Sequence, residues 1–293
     1  MRIDLHTHSR VSDGTDSPSE LIHAAVAAGL DVVALTDHDT AAGWEEAQRA
    51  ADEVGITFVP GIEISTDHHG HSVHLLAYLP DPTLPGLAAE LEHILAGRTA
   101  RVPTVVSRLR ELGIAISEDD VYACSPDAAA TGRPHVADAL VELGVVRDRD
   151  EAFDRYLAWG RPAFVDRYAA PLEQTIRLVA EAGGVSVIAH PWGRSGRREP
   201  AEEALAALAE VGLSGIEVDH QDHAPQTRAA LRSIARNLGL VTTGSSDYHG
   251  TGKTGHPLGV NTTEPAELHR LLERARAAAA AAGRRTPDVE LPC

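Results

Sequence analysis

The chain has 293 residues, 43% hydrophobic and only 4% aromatic, so it is long enough for a large core that must be built from Ala, Val, Leu and Ile. Its 43 acidic and 26 basic side chains leave a net charge of −17, which argues against a long nucleic-acid groove or an anionic membrane as partner, but not against a small anion met by bound cations. Cys124 and Cys293 are too few for a disulfide framework and sit in no Cys-x-x-Cys motif, so free thiols in a reducing, cytoplasmic compartment are expected.

The opening Met1-Arg2-Ile3-Asp4-Leu5-His6 reads as a strand rather than as a leader, and no run of about 18 apolar residues occurs. Strands are expected at Arg2–His6, Val32–Thr36, Thr57–Ile64, Val73–Leu79, Val185–Ala189, Gly215–Asp219 and Leu240–Gly244. Amphipathic helices are expected at Pro18–Ala28, Ala42–Val54, Leu172–Ala182, Ala201–Val211 and Gln226–Asn237. Ser17, Pro18 and Glu20 give the first of these a capped start, and Gly29, Gly55, Gly183 and Gly212 fall where helices end. Such alternation argues for a mainly parallel sheet, open or closed. Residues 98–168 break the rhythm: Arg98–Leu112, Ser117–Val121, His135–Leu143 and Glu151–Trp159 read as helices with no strand among them. The expected organisation is therefore a discontinuous barrel (residues 1–97 and 169–283) that ends in the helix Pro265–Ala282. A helical insertion (98–168) lies over one end as a substrate cap, and a flexible tail (284–293) follows.

His6 and His8 stand two apart at a strand end, so both imidazoles share one face and can reach one cation. Alone, this pair fits two ordinary polar residues equally well. It is joined by Asp13 in the turn Ser12-Asp13-Gly14, by His38 after the second strand, and by Glu63 and His74 within later ones. His190, Asp247 and His249 follow the strands Val185–Ala189 and Leu240–Gly244. In parallel α/β folds that strand edge is where ligands and catalysis gather. Nine imidazoles and carboxylates crowded together without cations would form a costly cluster of charges and unpaired acceptors. Two or three divalent ions relieve that cost, and the mixed N/O set favours Mn, Fe or Zn over Ca or Mg.

The pieces Asp4-Leu5-His6-Thr7-His8, Ser12-Asp13-Gly14, Leu35-Thr36-Asp37-His38, Pro60-Gly61-Ile62-Glu63-Ile64-Ser65, His74-Leu75-Leu76-Ala77-Tyr78, Ala189-His190-Pro191 and Ser246-Asp247-Tyr248-His249 together resemble the PHP (polymerase and histidinol phosphatase) superfamily. The resemblance spans residue 2 to about 250 and fills all nine ligand positions. It implies an α/β fold, a distorted (β/α)7 TIM-like barrel, with a trinuclear metal site. Carried over, His6, His8, Glu63 and Asp247 hold the first ion. Glu63 bridges to a second, bound also by His74 and His190, while Asp13, His38 and His249 hold the third. Asp13, His38, Glu63, Asp247 and His249 count as the catalytic residues. A bridging water, deprotonated near neutral pH, then attacks a phosphoester in line. Asp37 is too close to the ligands to be assigned as the general acid.

The insertion segment Thr131-Gly132-Arg133-Pro134-His135 is the clearest substrate signal. Arg133 offers a bidentate fork for phosphate, although Pro134 also suits a plain helix start. Within the superfamily this segment resembles nucleotide phosphoesterases that remove the 3′-phosphate of nucleoside 3′,5′-bisphosphates, some relatives trimming short RNA from its 5′ end. Arg133 and His135 are the expected phosphate contacts. Arg194 is a further candidate, although Trp192 displaces it from the family's His-Pro-Gly-Arg pattern, and with Arg197 and Arg198 it fits a solvated loop as well. A histidinol phosphatase is disfavoured by the insertion, and a decayed polymerase module by the complete ligand set. His220 and His223 could touch substrate or shuttle a proton, whereas His68, His69 and His71 read as surface residues of a polar turn. The expected partner is a small phosphorylated nucleotide, with short RNA as the alternative and no obligate protein partner.

Overall fold

In the computed structural model, which describes residues 1–193, 200–287, 289 and 291, seven strands run round the barrel in chain order. They are β1 (Ile3–Asp4), β2 (Val32–Leu35), β3 (Thr57–His68), β4 (His71–Tyr78), β6 (Val185–Ile188), β7 (Gly215–Asp219) and β8 (Val241–Gly244), with the two-residue β5 (Ala170–Pro171) appended to β3. The seam between β8 and β1 is bridged at Thr7 and Tyr248, where Asp247 N donates to His6 O (2.9 Å) and His8 N to Tyr248 O (2.8 Å). The expected α/β barrel with seven strands is therefore what the chain forms.

The parallel expectation holds for β1–β2–β3 and for β6–β7–β8, but β4 runs antiparallel to both neighbours. The cause is local. No helix separates β3 from β4; only the turn at His69-Gly70 does, and both residues have positive φ (54° and 81°), the backbone of a tight hairpin. His74 therefore reaches the active rim from the first half of its strand rather than from its end.

Helices α1 (Pro18–Ala27) and α2 (Trp44–Val54) cover β2 and β3 through Leu21, Ile22, Ala47 and Ala51. Ser17 caps α1 in a reciprocal box with Glu20, as its sequence indicates. On the far side α3 (Pro85–Ala100), α8 (Leu172–Glu181), α9 (Glu202–Val211) and α10 (Pro225–Leu238) pack over β3, β4, β6 and β7. Helix α11 (Pro265–Ala281) packs Leu268, Leu271 and Leu272 against the cluster that holds the barrel interior, where Tyr78 donates to Leu5 O (2.8 Å).

Between α3 and β5, the helices α4 (Val102–Glu111), α5 (Glu118–Ala123), α6 (Arg133–Glu142) and α7 (Arg149–Ala152), the last continuing into a π-helical turn at Phe153–Leu157, enclose a separate apolar cluster running from Val102 to Ala163. The single helix expected over Arg98–Leu112 is two, with a break at Arg101. Its first part starts thirteen residues earlier than expected, at Pro85, and buries Leu87, Leu91 and Ile94 in the barrel's outer core. No helix among the described residues is long and apolar enough to cross a membrane.

Candidate metal centre

Each of the nine singled-out side chains stands at or near one end of the barrel, where Asp13 and His38 border residues of the 98–168 segment. His6 and His8 follow β1. Glu63 and His74 sit on β3 and β4, which pair with Glu63 opposite Leu76 and Ser65 opposite His74. His190 and Asp247 follow β6 and β8 with φ of 28° and 53°. A positive φ is strained for residues with a Cβ and costs on the order of 1–3 kcal/mol, a cost that recurs where a side chain must be aimed. Asp13 is delivered by the turn after His8. That turn needs glycine at its end, since a Cβ on Gly14 would lie 2.4 Å from His8 O.

The nitrogen and oxygen atoms meet round one carboxylate. His6 Nε2 and His8 Nε2 lie 3.0 Å apart, 3.2 and 3.1 Å from Glu63 Oε2, and each 3.5 Å from Asp247 Oδ1. A cation with bonds of 2.0–2.2 Å to nitrogen and oxygen sets tetrahedral ligands about 3.3 Å apart, so these separations fit one metal ion. Glu63 Oε1 lies 2.7 Å from His74 Nδ1 and 3.1 Å from His190 Nε2. Asp13 Oδ2 is 3.6 Å from His38 Nε2, and its Oδ1 is 3.4 Å from His249 Nε2. His38 stands between two sets, because its Nδ1 is also 3.1 Å from Glu63 Oε2 and has no hydrogen-bond partner among the described residues.

The electrostatics match a cation site. Burial alone would raise the Glu63 carboxyl, but the imidazoles of His74, His38 and His6 draw it well below the usual range. Asp13 and Asp247 are likewise held low against burial, the first by His38 and His249, the second by Lys253 and His6. Burial pushes His38, His190 and His249 down against the carboxylates beside them, His249 to about 4, which favours the neutral imidazole that ligates metal. Burial would also lower His8, yet Asp247 and Glu63 raise it to about 9, so a cation arriving there displaces a proton.

A ring of supporting residues surrounds these atoms. Glu217, fully buried, sits 3.3 Å from His6 Nδ1 and accepts from His190 N (2.8 Å) and from Ser245 Oγ. His220 Nε2 (3.2 Å) and Lys253 Nζ hold the second oxygen of Asp247, which turns Oδ1 toward His6 and His8. Asp37 accepts from Ser9 N (2.8 Å), Ser9 Oγ (2.6 Å) and Ser12 Oγ (2.6 Å), so it fixes the turn that carries Asp13. Sequence reasoning did not single out Glu217 or Lys253. Glu217 lay within an expected strand, flanked by Ile216 and Val218, which was the available signal.

The substrate candidates divide. His135, 4% exposed, accepts from Gly132 N through Nδ1 (2.9 Å) and lines a narrow crevice with Asp13, His38 and Arg98. Arg133 does not line it. Its guanidinium lies 5.7 Å from the Phe153 ring centroid and 5.2 Å from that of Phe164, and donates to Leu157 O (3.1 Å) inside the cap. Arg194, with Arg197 and Arg198, lies outside the described residues. His220 is buried against Asp247, and His223 Nδ1 lies 2.8 Å from Val218 O. His68 is 9% exposed, not a surface residue, because β3 extends to it; His69 is exposed. A roomier hollow of about 450 Å³ at the opposite barrel end, beside Trp44, Phe58 and Leu79, contains none of the nine residues.

Residues 4–122 match the family model described as PHP domain. Over 257 residues the chain is 36% identical to the 3′,5′-nucleoside bisphosphate phosphatase of Chromobacterium violaceum, with 88% of this chain and 90% of that one covered. The chain belongs to the PHP domain family. A second PHP relative is the 5′-3′ exoribonuclease of Haemophilus influenzae, 36% identical over 85% of this chain and 90% of its own. Among solved structures, a putative metal-dependent phosphoesterase from Bifidobacterium adolescentis superposes with a TM-score of 0.88 at 36% identity, covering 93% of this chain and 96% of that one. This PHP protein is thus a metal-dependent phosphoesterase, with His, Asp and Glu clusters that could hold the metal.

Proposed function

We propose that this PHP enzyme removes the 3′-phosphate of nucleoside 3′,5′-bisphosphates. The observation that carries the reading is Glu63. One oxygen stands within 3.2 Å of His6, His8 and His38 nitrogens, and the other within 3.1 Å of His74 and His190, so one carboxylate is shared between neighbouring cation positions. The Chromobacterium relative supplies the substrate class.

In this reading two to three divalent ions are held: one by His6, His8, Glu63 and Asp247, one by Glu63, His74 and His190, and one by Asp13, His38 and His249. Mn is the first choice, with Fe and Zn accepted by the same ligands. Ions bound there would supply a water acidic enough to attack near neutral pH and positive charge opposite the phosphoryl oxygens. The chain's own residues do the rest. Glu217 orients His6, Asp37 holds the Asp13 turn, and His220 with Lys253 sets the rotamer of Asp247. His135 and Arg194 are assigned to substrate contact, and Arg133, whose guanidinium packs on Phe153 and Phe164, to holding the segment that presents His135. Residues 98–168 act as the cap of the 1–97 and 169–283 barrel, with 284–293 as a tail, and the enzyme works in the cytoplasm.

The 36% identity to the Haemophilus exoribonuclease favours a second reading, trimming of short RNA from the 5′ end. A screen of the Mn-, Fe- and Zn-loaded protein against adenosine 3′,5′-bisphosphate, a short 5′-phosphorylated RNA, histidinol phosphate and 5′-nucleotides separates these. Release of phosphate from the bisphosphate is expected. Mononucleotide release from RNA with none from the bisphosphate selects the second reading, and silence on every compound with every metal rejects both.

A further inference from the structure

The loop that carries Asp13 is gripped from outside the barrel. Residues 98–168 hold it at three points in sequence order. Arg10 Nε lies 3.3 Å from Asp127 Oδ2, Ala129 N donates to Val11 O (2.8 Å), and Arg149 Nη1 donates to Asp13 O (2.7 Å). The first contact is exposed and contributes little. The last differs, because it lands on the backbone of a ligand residue and comes from a side chain only 12% exposed.

Arg149 opens α7, and its fork uses all three nitrogens. Nε donates to Asp138 Oδ1 (2.6 Å) and Nη2 to Asp138 Oδ2 (2.7 Å), the two oxygens of a carboxylate on α6. A bidentate pair fixes the guanidinium plane, so Nη1 is aimed at Asp13 O rather than merely near it. On the other side lies the turn after His249. A Cβ on Gly252 would stand 2.8 Å from Arg149 Cζ, so glycine is what lets this turn close on the guanidinium. Gly252 N in turn donates to His249 O (3.1 Å), and Thr15 N donates to the same carbonyl (3.2 Å). Arg149 is thus wedged between the two loops that deliver Asp13 and His249, whose Oδ1 and Nε2 stand 3.4 Å apart.

Other ligands are steadied from within the barrel. Glu217 holds His6 and His190, and His220 with Lys253 holds Asp247. Metal–ligand distances keep to within about 0.2 Å of their ideal values, so a ligand loop that drifts loses its ion. We infer that Arg149 is a positioning residue for the third ion: through Asp13 O and the Gly250–Gly252 turn, it ties the seating of residues 98–168 to the spacing of Asp13 and His249. The inference rests on the proposed grouping of Asp13, His38 and His249 round one ion. Coupling of this kind is reciprocal, so the seated segment tightens the third ion and that ion tightens the seating of the segment.

The test is a calorimetric Mn titration of the full chain stripped with chelator. Asp13→Asn marks the binding step that belongs to the third ion. Arg149→Met should weaken that step alone by about 10- to 100-fold. In the Asp13→Asn background it should weaken nothing further. Asp138→Asn, which keeps the guanidinium but slackens its aim, should weaken the same step by less, and it takes the place of Arg149→Met should that variant fail to fold. Arg110→Met, at an exposed residue on α4 whose loss changes the net charge equally, should leave every step as it is. Equal weakening of all steps, weakening of none, or a loss that persists in the Asp13→Asn background overturns the role of Arg149. If Asp13→Asn itself removes no step, the proposed ion grouping fails and the inference with it. The readout involves no substrate, so a protein that shows this pattern yet hydrolyses no bisphosphate refutes the proposed activity and keeps the coupling.

Discussion

At the barrel rim, carboxylates and imidazoles crowd round Glu63 with more lone pairs than protons to fill them, whereas where residues 98–168 join the barrel, the guanidinium groups of Arg98 and Arg101 approach Gly132, the first paired with Asp39 and the second with its Nε unpaired among the described residues. The rim offers lone pairs that cations would fill, whereas at the junction Asp39 and Ser65 already hold Arg98 and Arg167. Two neighbouring regions of opposite charge thus differ in how far the chain itself satisfies them.

The two regions can be pulled apart experimentally. Chelation should strike the rim alone and have the largest effect: phosphate release should fall by at least about 10⁴-fold and return with Mn, since the attacking water and the charge on the phosphoryl oxygens both depend on the ions. Activity that survives exhaustive chelation would remove the rim from the chemistry. Glu217→Gln keeps the shape but weakens the hold on His6, and should cost about 10- to 100-fold in metal affinity by competition with a fluorescent chelator.

Acidification should also weaken the rim. His8 in the metal-free protein is raised from its ordinary value to about 9, so it is protonated throughout the neutral range and metal binding must expel that proton. Affinity should therefore climb by about tenfold per pH unit for each proton displaced and level off above about pH 9. The stabilisation that protonated His8 lends the metal-free protein is complete below about pH 6.5 and disappears as pH rises through about 9. The melting-temperature gap between loaded and metal-free protein should widen over that interval; a flat gap would show that His8 is not a ligand. The smallest effect belongs to the cap. Arg133→Ala should raise KM by about tenfold with metal content unchanged. Loss of metal instead would show that Arg133 supports the rim.

The same contrast explains what was legible in the sequence. The barrel and the rim candidates were visible because each is a local event: a short β-branched run followed by, or containing, a His, Asp or Glu, as in Ala189-His190 or Thr36-Asp37-His38. The reversal of β4 was hidden, because it depends on two positive-φ residues at His69-Gly70 rather than on the strands themselves. The early start of α3 was missed even though Leu87, Leu91 and Ile94 keep a helical spacing; Gly86 and Gly97 dilute that pattern. Arg98 and Arg167 could not be read as neighbours, since they lie far apart in sequence, one at the end of α3 and the other before β5, and only the fold brings both to Ser65. Arg133 was singled out for its Gly-Arg-Pro-His setting, yet it is Arg98 and His135 that line the crevice beside His38.

The sharing of Glu63 is the central claim, and counting metal ions tests it most directly. Elemental analysis of the dialysed, Mn-loaded wild type and of Glu63→Gln, each checked for folding by circular dichroism, should find more than one ion per chain in the wild type and a loss of more than one in the variant. One ion per chain in the wild type, or a loss of a single ion from a site that otherwise remains filled, would contradict a carboxylate held in common between two cation positions.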